Sequence, residues 1–105
     1  MAIKELLREE LENSLRMERD YQAQLSKLQR GSIVKKEIRG RFYYYVAARE
    51  NGKVRFRYIG RQMDEKARAR FGEARKYRAQ YRSLLAQVRR QIKFIRRVLR
   101  AKQAV

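Results

Sequence analysis

From Asp64 onward, the seam positions Ala67, Phe71, Ala74, Arg78, Tyr81, Leu85, Val88, Ile92, Ile95 and Leu99 recur in alternating steps of four and three, and only Arg78 is charged. A helix brings such positions onto one side, because it turns every 3.6 residues. A seam this long and narrow asks for a second helix to cover it. Asp64 is a suitable N-cap and Glu65 places an acid in the first turn. Tyr77, Leu84 and Val98 are expected to widen the stripe. Gly72 is a candidate kink, and no proline interrupts the chain.

The partner helix is in the same chain. Leu7, Leu11, Ser14, Glu18, Tyr21, Leu25 and Leu28 repeat the same steps, with Ser14 and Glu18 as polar breaks. Gly31 is placed to end that helix in a left-handed conformation. Two such arms predict an antiparallel, coiled-coil-like hairpin. With Leu28 at the level of Ala67, Ile3 reaches roughly that of Ile92. Glu5, Glu9, Glu10 and Glu12 then lie beside Arg89, Arg90, Lys93 and Arg96. Ile95, Val98 and Leu99 overhang without a partner. Such a stripe suggests a homodimer or another protein partner through the C-terminal helix; the alternative is fraying of the last turns.

Between the arms the period changes to two. Asn51-Gly52 signals a two-residue hairpin turn, pairing Arg49 with Val54, Ala47 with Phe56 and Tyr45 with Tyr58. Gly40-Arg41 is read as an earlier turn, pairing Arg39 with Phe42 and Ile38 with Tyr43. The fold class expected is α+β: a long antiparallel helical hairpin with a three-stranded antiparallel β-meander at its tip. One domain spans 1–105, with a helix over about 2–30, the meander over about 32–60 and a helix over about 64–103.

Charge points to a partner. The chain carries a net charge of +18. Residues 1–30 are balanced, 31–63 hold nine basic and two acidic side chains, and 64–105 hold fourteen and three. A self-repelling surplus of this size fits an anionic ligand. Register divides the meander into two faces. Val34, Ile38, Tyr43, Tyr45, Ala47, Val54, Phe56 and Tyr58, with Lys36, are expected to pack on the helix ends. The opposite face mixes cations with rings, so Lys35, Arg39, Tyr44, Arg55 and Arg57 are the expected nucleic-acid contacts, joined by Arg41 in the first turn and Arg61 after the last strand. A purely structural sheet with basic edges is the competing reading. On the last helix, Arg75, Arg82, Arg89 and Arg96 repeat every seven residues beside the seam. With Arg90 and Arg97 they form a face suited to phosphates; the alternative is a solvated helix face.

The run Gly31-Ser32-Ile33, Lys35-Lys36, Ile38-Arg39-Gly40-Arg41, Tyr43-Tyr44-Tyr45, Gly52-Lys53-Val54, Tyr58-Ile59-Gly60 resembles a small, uncharacterised prokaryotic basic β-meander domain. It is also similar to the N-terminal hairpin of insertion-sequence transposases and, more loosely, to the three-stranded DNA-contacting module that precedes tyrosine recombinases. The resemblance covers about thirty residues. It implies DNA association and a mobile-element or phage setting, and carries no catalytic role.

No enzyme is expected. Histidine, cysteine and threonine are absent, and no acid pair or phosphate-cradling loop stands out. No metal, cofactor or membrane span is expected either. The first residues turn acidic too soon for a signal peptide, and the cytoplasm is the expected compartment. The expected function is non-enzymatic nucleic-acid binding, DNA ahead of RNA. The alternative is a protein-interaction module, such as a subunit of a nucleoprotein complex or a small phage-encoded inhibitor.

Overall fold

The computed structural model describes residues 2–103. Its elements are α1 (Ile3–Lys27), β1 (Ser32–Ile38), β2 (Arg41–Glu50), β3 (Lys53–Gly60) and α2 (Glu65–Gln103). The fold is α+β, with a three-stranded meander inserted in sequence between two long helices. Two compact units divide the chain: α1 with α2 from Ala79 onward, and Leu28–Arg78.

In the first unit the seam is the one the spacing predicts. Leu85, Val88 and Ile92 form the buried centre, and Leu11, Leu15, Tyr21 and Leu25 pack against it. Ser14, 1% exposed, is the most deeply buried described side chain; its small volume suits close helix approach. Glu18 serves its break differently, as its Oε2 accepts from Arg89 Nε at 3.1 Å. Tyr77 and Leu84 are exposed rather than part of a widened stripe, while Val98 is half-buried.

The alignment of the helices differs from expectation. The ring of Tyr21 lies against Tyr81, with centroids 6.2 Å apart. Aligning Leu28 with Ala67 would instead put Tyr21 opposite Ala74. The helices are therefore offset by about two turns or more. A seam that repeats every seven residues fits either offset, so its pattern alone does not choose. The consequence is that Ile95 and Leu99 do not overhang: they are 4% and 8% exposed. These residues, with the half-buried Val98, do not form the free interaction stripe expected of them. Among the described residues, Glu5, Glu9, Glu10 and Glu12 form no ion pair, and Arg89 pairs with Glu18.

In the second unit the Asn51-Gly52 turn forms as expected. Both residues have positive φ, 50° and 79°, as a type I′ turn requires. The pairs Arg49–Val54, Ala47–Phe56 and Tyr45–Tyr58 follow, with Ile59 bulged out between Tyr58 and Gly60. The first turn sits one residue earlier than expected. Arg39 and Gly40 carry the positive φ values, and Ile38 pairs with Arg41, Glu37 with Phe42 and Lys36 with Tyr43. The reason lies further along the ladder. A Gly40-Arg41 turn would set Lys35 opposite the buried Val46, whereas the observed register sets Ile33 there. The partners move by two places, so every side chain keeps its face.

Helix α1 stops at Lys27, so Gly31 does not cap it. Gly31 has φ 92°, and a Cβ there would lie 2.9 Å from both Ala47 O and Val46 Cγ1. The glycine is required because the chain passes directly against β2. Arg78, the polar break in the α2 seam, donates to the Gln29 carbonyl just before it. Helix α2 starts as expected: Lys66 N–H donates to Asp64 Oδ1 at 3.2 Å. It continues through Gly72 without interruption.

Two substitutions separate these roles. Gly31→Ala is expected to destabilise by about 1–3 kcal/mol, from the left-handed backbone and the clash. Gly72→Ala is expected to stabilise by about 1 kcal/mol, since the site is helical and a Cβ there meets nothing within 4 Å. Thermal unfolding reads both. Ile95→Ala is expected to cost about 2–5 kcal/mol at any protein concentration, whereas an overhanging Ile95 would give nearly no change in the monomer.

Candidate nucleic-acid interface

Strand geometry puts alternate side chains on opposite faces, and the observed register carries this across all three strands. One face holds Ile33, Lys35, Glu37, Phe42, Tyr44, Val46, Ala48, Glu50, Lys53, Arg55 and Arg57. Its centre is covered. Val46 is 7% exposed, and the 28–31 segment runs over it through Gly31. A shallow hollow at this side is lined by Gln29, Arg30, Val46, Ala48, Glu50, Arg55 and Arg57, with Phe56 reaching its edge from β3. We call this the backing face.

The other face holds Val34, Lys36, Ile38, Arg41, Tyr43, Tyr45, Ala47, Arg49, Val54, Phe56 and Tyr58. It is open. Val54, Phe56 and Tyr58 are each just over half exposed, and Ile38 nearly so. Within its own unit this face is therefore less covered than expected, with Val34, Tyr43, Tyr45 and Ala47 half-buried and the rest exposed. The sheet buries the β2 side chain Val46, whose face also bears Lys35, Lys53, Arg55 and Arg57. The cations remain exposed at the margins of that face while one valine fills its centre.

The open face is an array of rings and cations. Tyr58 lies between Tyr45 and Tyr43, with centroids 5.5 and 6.2 Å away. The Lys36 ammonium sits 4.0 Å from the Phe56 ring centroid and 5.1 Å from that of Tyr45. The Arg61 guanidinium lies 5.8 Å from the Tyr43 centroid. Each such contact at an exposed site contributes about 0.5–1 kcal/mol. Arg41 and Arg49 extend from the same face and are exposed. Both carboxylates of the meander, Glu37 and Glu50, belong to the backing face. The open face thus has four cations beside its rings and no acid.

The expected contact residues are divided between these surfaces. Lys35, Tyr44, Arg55 and Arg57 are on the backing face. Tyr44 is half-buried, Lys35 lies 3.9 Å over the Phe42 ring, and Arg55 is 3.7 Å from Glu50. Arg39 occupies the first turn. Arg41 and Arg61 belong with the open face. Arg75, Arg82, Arg89, Arg90 and Arg97 are exposed on α2, with Arg89 engaged by Glu18. Residue typing missed Lys36 and Arg49, along with Phe56 and Tyr58 as exposed rings. The available signal was the segregation of Glu37 and Glu50 onto one face. Among the described residues, no group of three acidic, His or Cys side chains could hold a metal. Nor is any helix long and apolar enough to cross a membrane.

The exposure difference is directly measurable. Val46→Ala is expected to cost about 2 kcal/mol, for two buried methyl groups. Val54→Ala, on the open face, is expected to cost less than half of that. Equal losses in chemical denaturation would contradict the assignment of faces.

A family model described as a domain of unknown function (DUF6788) matches residues 2–69. This is more than half of the chain, which belongs to that family. The match spans α1, the whole meander and the first turn of α2. Searches of curated proteins and of solved structures return no match.

Proposed function

We propose that this member of the DUF6788 family is a non-enzymatic nucleic-acid-binding protein whose open sheet face is the contact surface. One observation carries the reading: the open face combines half-exposed aromatic rings with four cations and excludes both nearby carboxylates. Protection of the sheet edges needs only a few lysines, whereas this face carries three arginines beside its rings. Sign-selective segregation fits a polyanion.

The chemistry fits the same ligand. Arginine forks match phosphate oxygens in two-point contacts, so Arg41, Arg49 and Arg61 can hold a backbone. Rings offer stacking surface, at about 1–3 kcal/mol per base. The exposed arginines of α2 add sequence-independent attraction through counterion release. DNA is proposed ahead of RNA, on the strength of the meander's resemblance, which also motivates a mobile-element or phage setting.

Affinity is expected to fall steeply as salt rises. Arg41→Glu combined with Arg49→Glu is expected to weaken binding by about tenfold or more and to reduce the salt slope by about two. The same double reversal at Arg55 and Arg57 is expected to have a smaller effect. Fluorescence anisotropy with a labelled oligonucleotide measures both. No binding to any nucleic acid at low salt would refute the proposal. A chain that instead retains one protein after nuclease treatment, unaffected by the Arg41 and Arg49 changes, would favour an interaction module.

A further inference from the structure

The open face also bears on which form of nucleic acid it takes. We infer, resting on the nucleic-acid reading above, that it selects unpaired bases, and that Lys36 holds the place of a base in the free protein.

Ring spacing on β3 supports this. Phe56 and Tyr58 stand two residues apart on β3, and a strand rises about 3.4 Å per residue. Their rings are therefore anchored about 7 Å apart, twice the roughly 3.4 Å rise between bases along one strand of a duplex. Two consecutive bases can meet these two rings only when they have left their mutual stack. The surface that the rings offer favours the same ligand. A duplex keeps its base faces inside the helix and presents edges and phosphates. Half-exposed rings on an open sheet present faces, which only an unpaired base can cover.

Lys36 completes the argument. Its ammonium caps the Phe56 ring at 4.0 Å and shares the Tyr45 ring at 5.1 Å. Its side chain is exposed, so a weak, solvated contact is all that holds it there. An arriving base takes over the ring face, and the displaced ammonium becomes free to pair with a phosphate. Arg41, Arg49 and Arg61 lie on the same side for the remaining backbone. Lys36 is thus a positioning residue that exchanges a ring for a phosphate.

The test compares a fluorescein-labelled oligothymidine, the matching oligouridine and a hairpin duplex, by anisotropy at low salt. The variants are Phe56→Leu, Tyr58→Leu and Lys36→Gln, with folding checked by thermal unfolding. Both leucine variants retain apolar bulk at half-exposed positions. The expected result is single strands bound about tenfold or more tighter than the duplex. Each leucine variant should weaken single-strand binding by about fivefold or more. The duplex affinity and the salt slope should stay unchanged. Lys36→Gln should lower the salt slope for single strands by about one. Oligothymidine against oligouridine distinguishes DNA from RNA as the source of the unpaired bases, and preference for either supports the inference. Duplex bound as tightly as single strands, with the leucine variants neutral, would overturn it while leaving the nucleic-acid reading standing. Absence of binding to all three would overturn both.

Discussion

Sheet parity is the constraint on which the functional account depends. Two-residue turns at Arg39-Gly40 and Asn51-Gly52 connect the three strands so that alternate side chains stay on one side throughout. Parity sends Glu37 and Glu50 to the same face as Val46. It sends Tyr43, Tyr45, Phe56 and Tyr58 to the other, with Lys36, Arg41 and Arg49. Neither face is assembled residue by residue. Once Val46 is buried and Gly31 lies against it, the opposite set is left half-buried at Tyr43 and Tyr45 and exposed at Ile38, Val54, Phe56 and Tyr58. The cost of exposing those rings is offset in part by their contacts with each other and with Lys36 and Arg61.

The helical unit is built on a repeat rather than a unique pattern. Its seam uses each polar break: Ser14 fills a narrow place, and Glu18 meets Arg89. In the other unit Arg78 meets the Gln29 carbonyl. These polar contacts contribute less energy than Leu85, Val88 and Ile92. They are nevertheless less interchangeable than the apolar layers, and so help distinguish one offset of the seam from another.

Much of the fold was legible in the sequence because periodicity reports directly on which side a residue faces. Every predicted seam position in both helices is buried or half-buried, and the Asn51-Gly52 register is correct to the residue. Three things were not legible, each for a physical reason. A seven-residue repeat does not select its own offset, so Ile95 and Leu99 were expected to overhang. Gly40 could serve as either turn residue, and the choice was made at Val46, several pairs away. Most importantly, alternation defines two faces without saying which is inside. Hydrophobicity favoured the ring-rich face. The decision instead rested on a close approach at Gly31 that is invisible until the chain is folded. The expected contact residues are consequently split, with Arg41 and Arg61 on the open face and Lys35, Arg55 and Arg57 on the backing face.

The central claim is that the open face, and not the backing face, meets the ligand. A heteronuclear NMR titration of the labelled protein with a short oligonucleotide tests it most directly. The account predicts that the largest shift changes fall on Lys36, Tyr45, Phe56 and Tyr58, with Arg41 and Arg49 at their margin. Largest changes at Val46, Ala48, Arg55 and Arg57, with the open-face rings undisturbed, would contradict it.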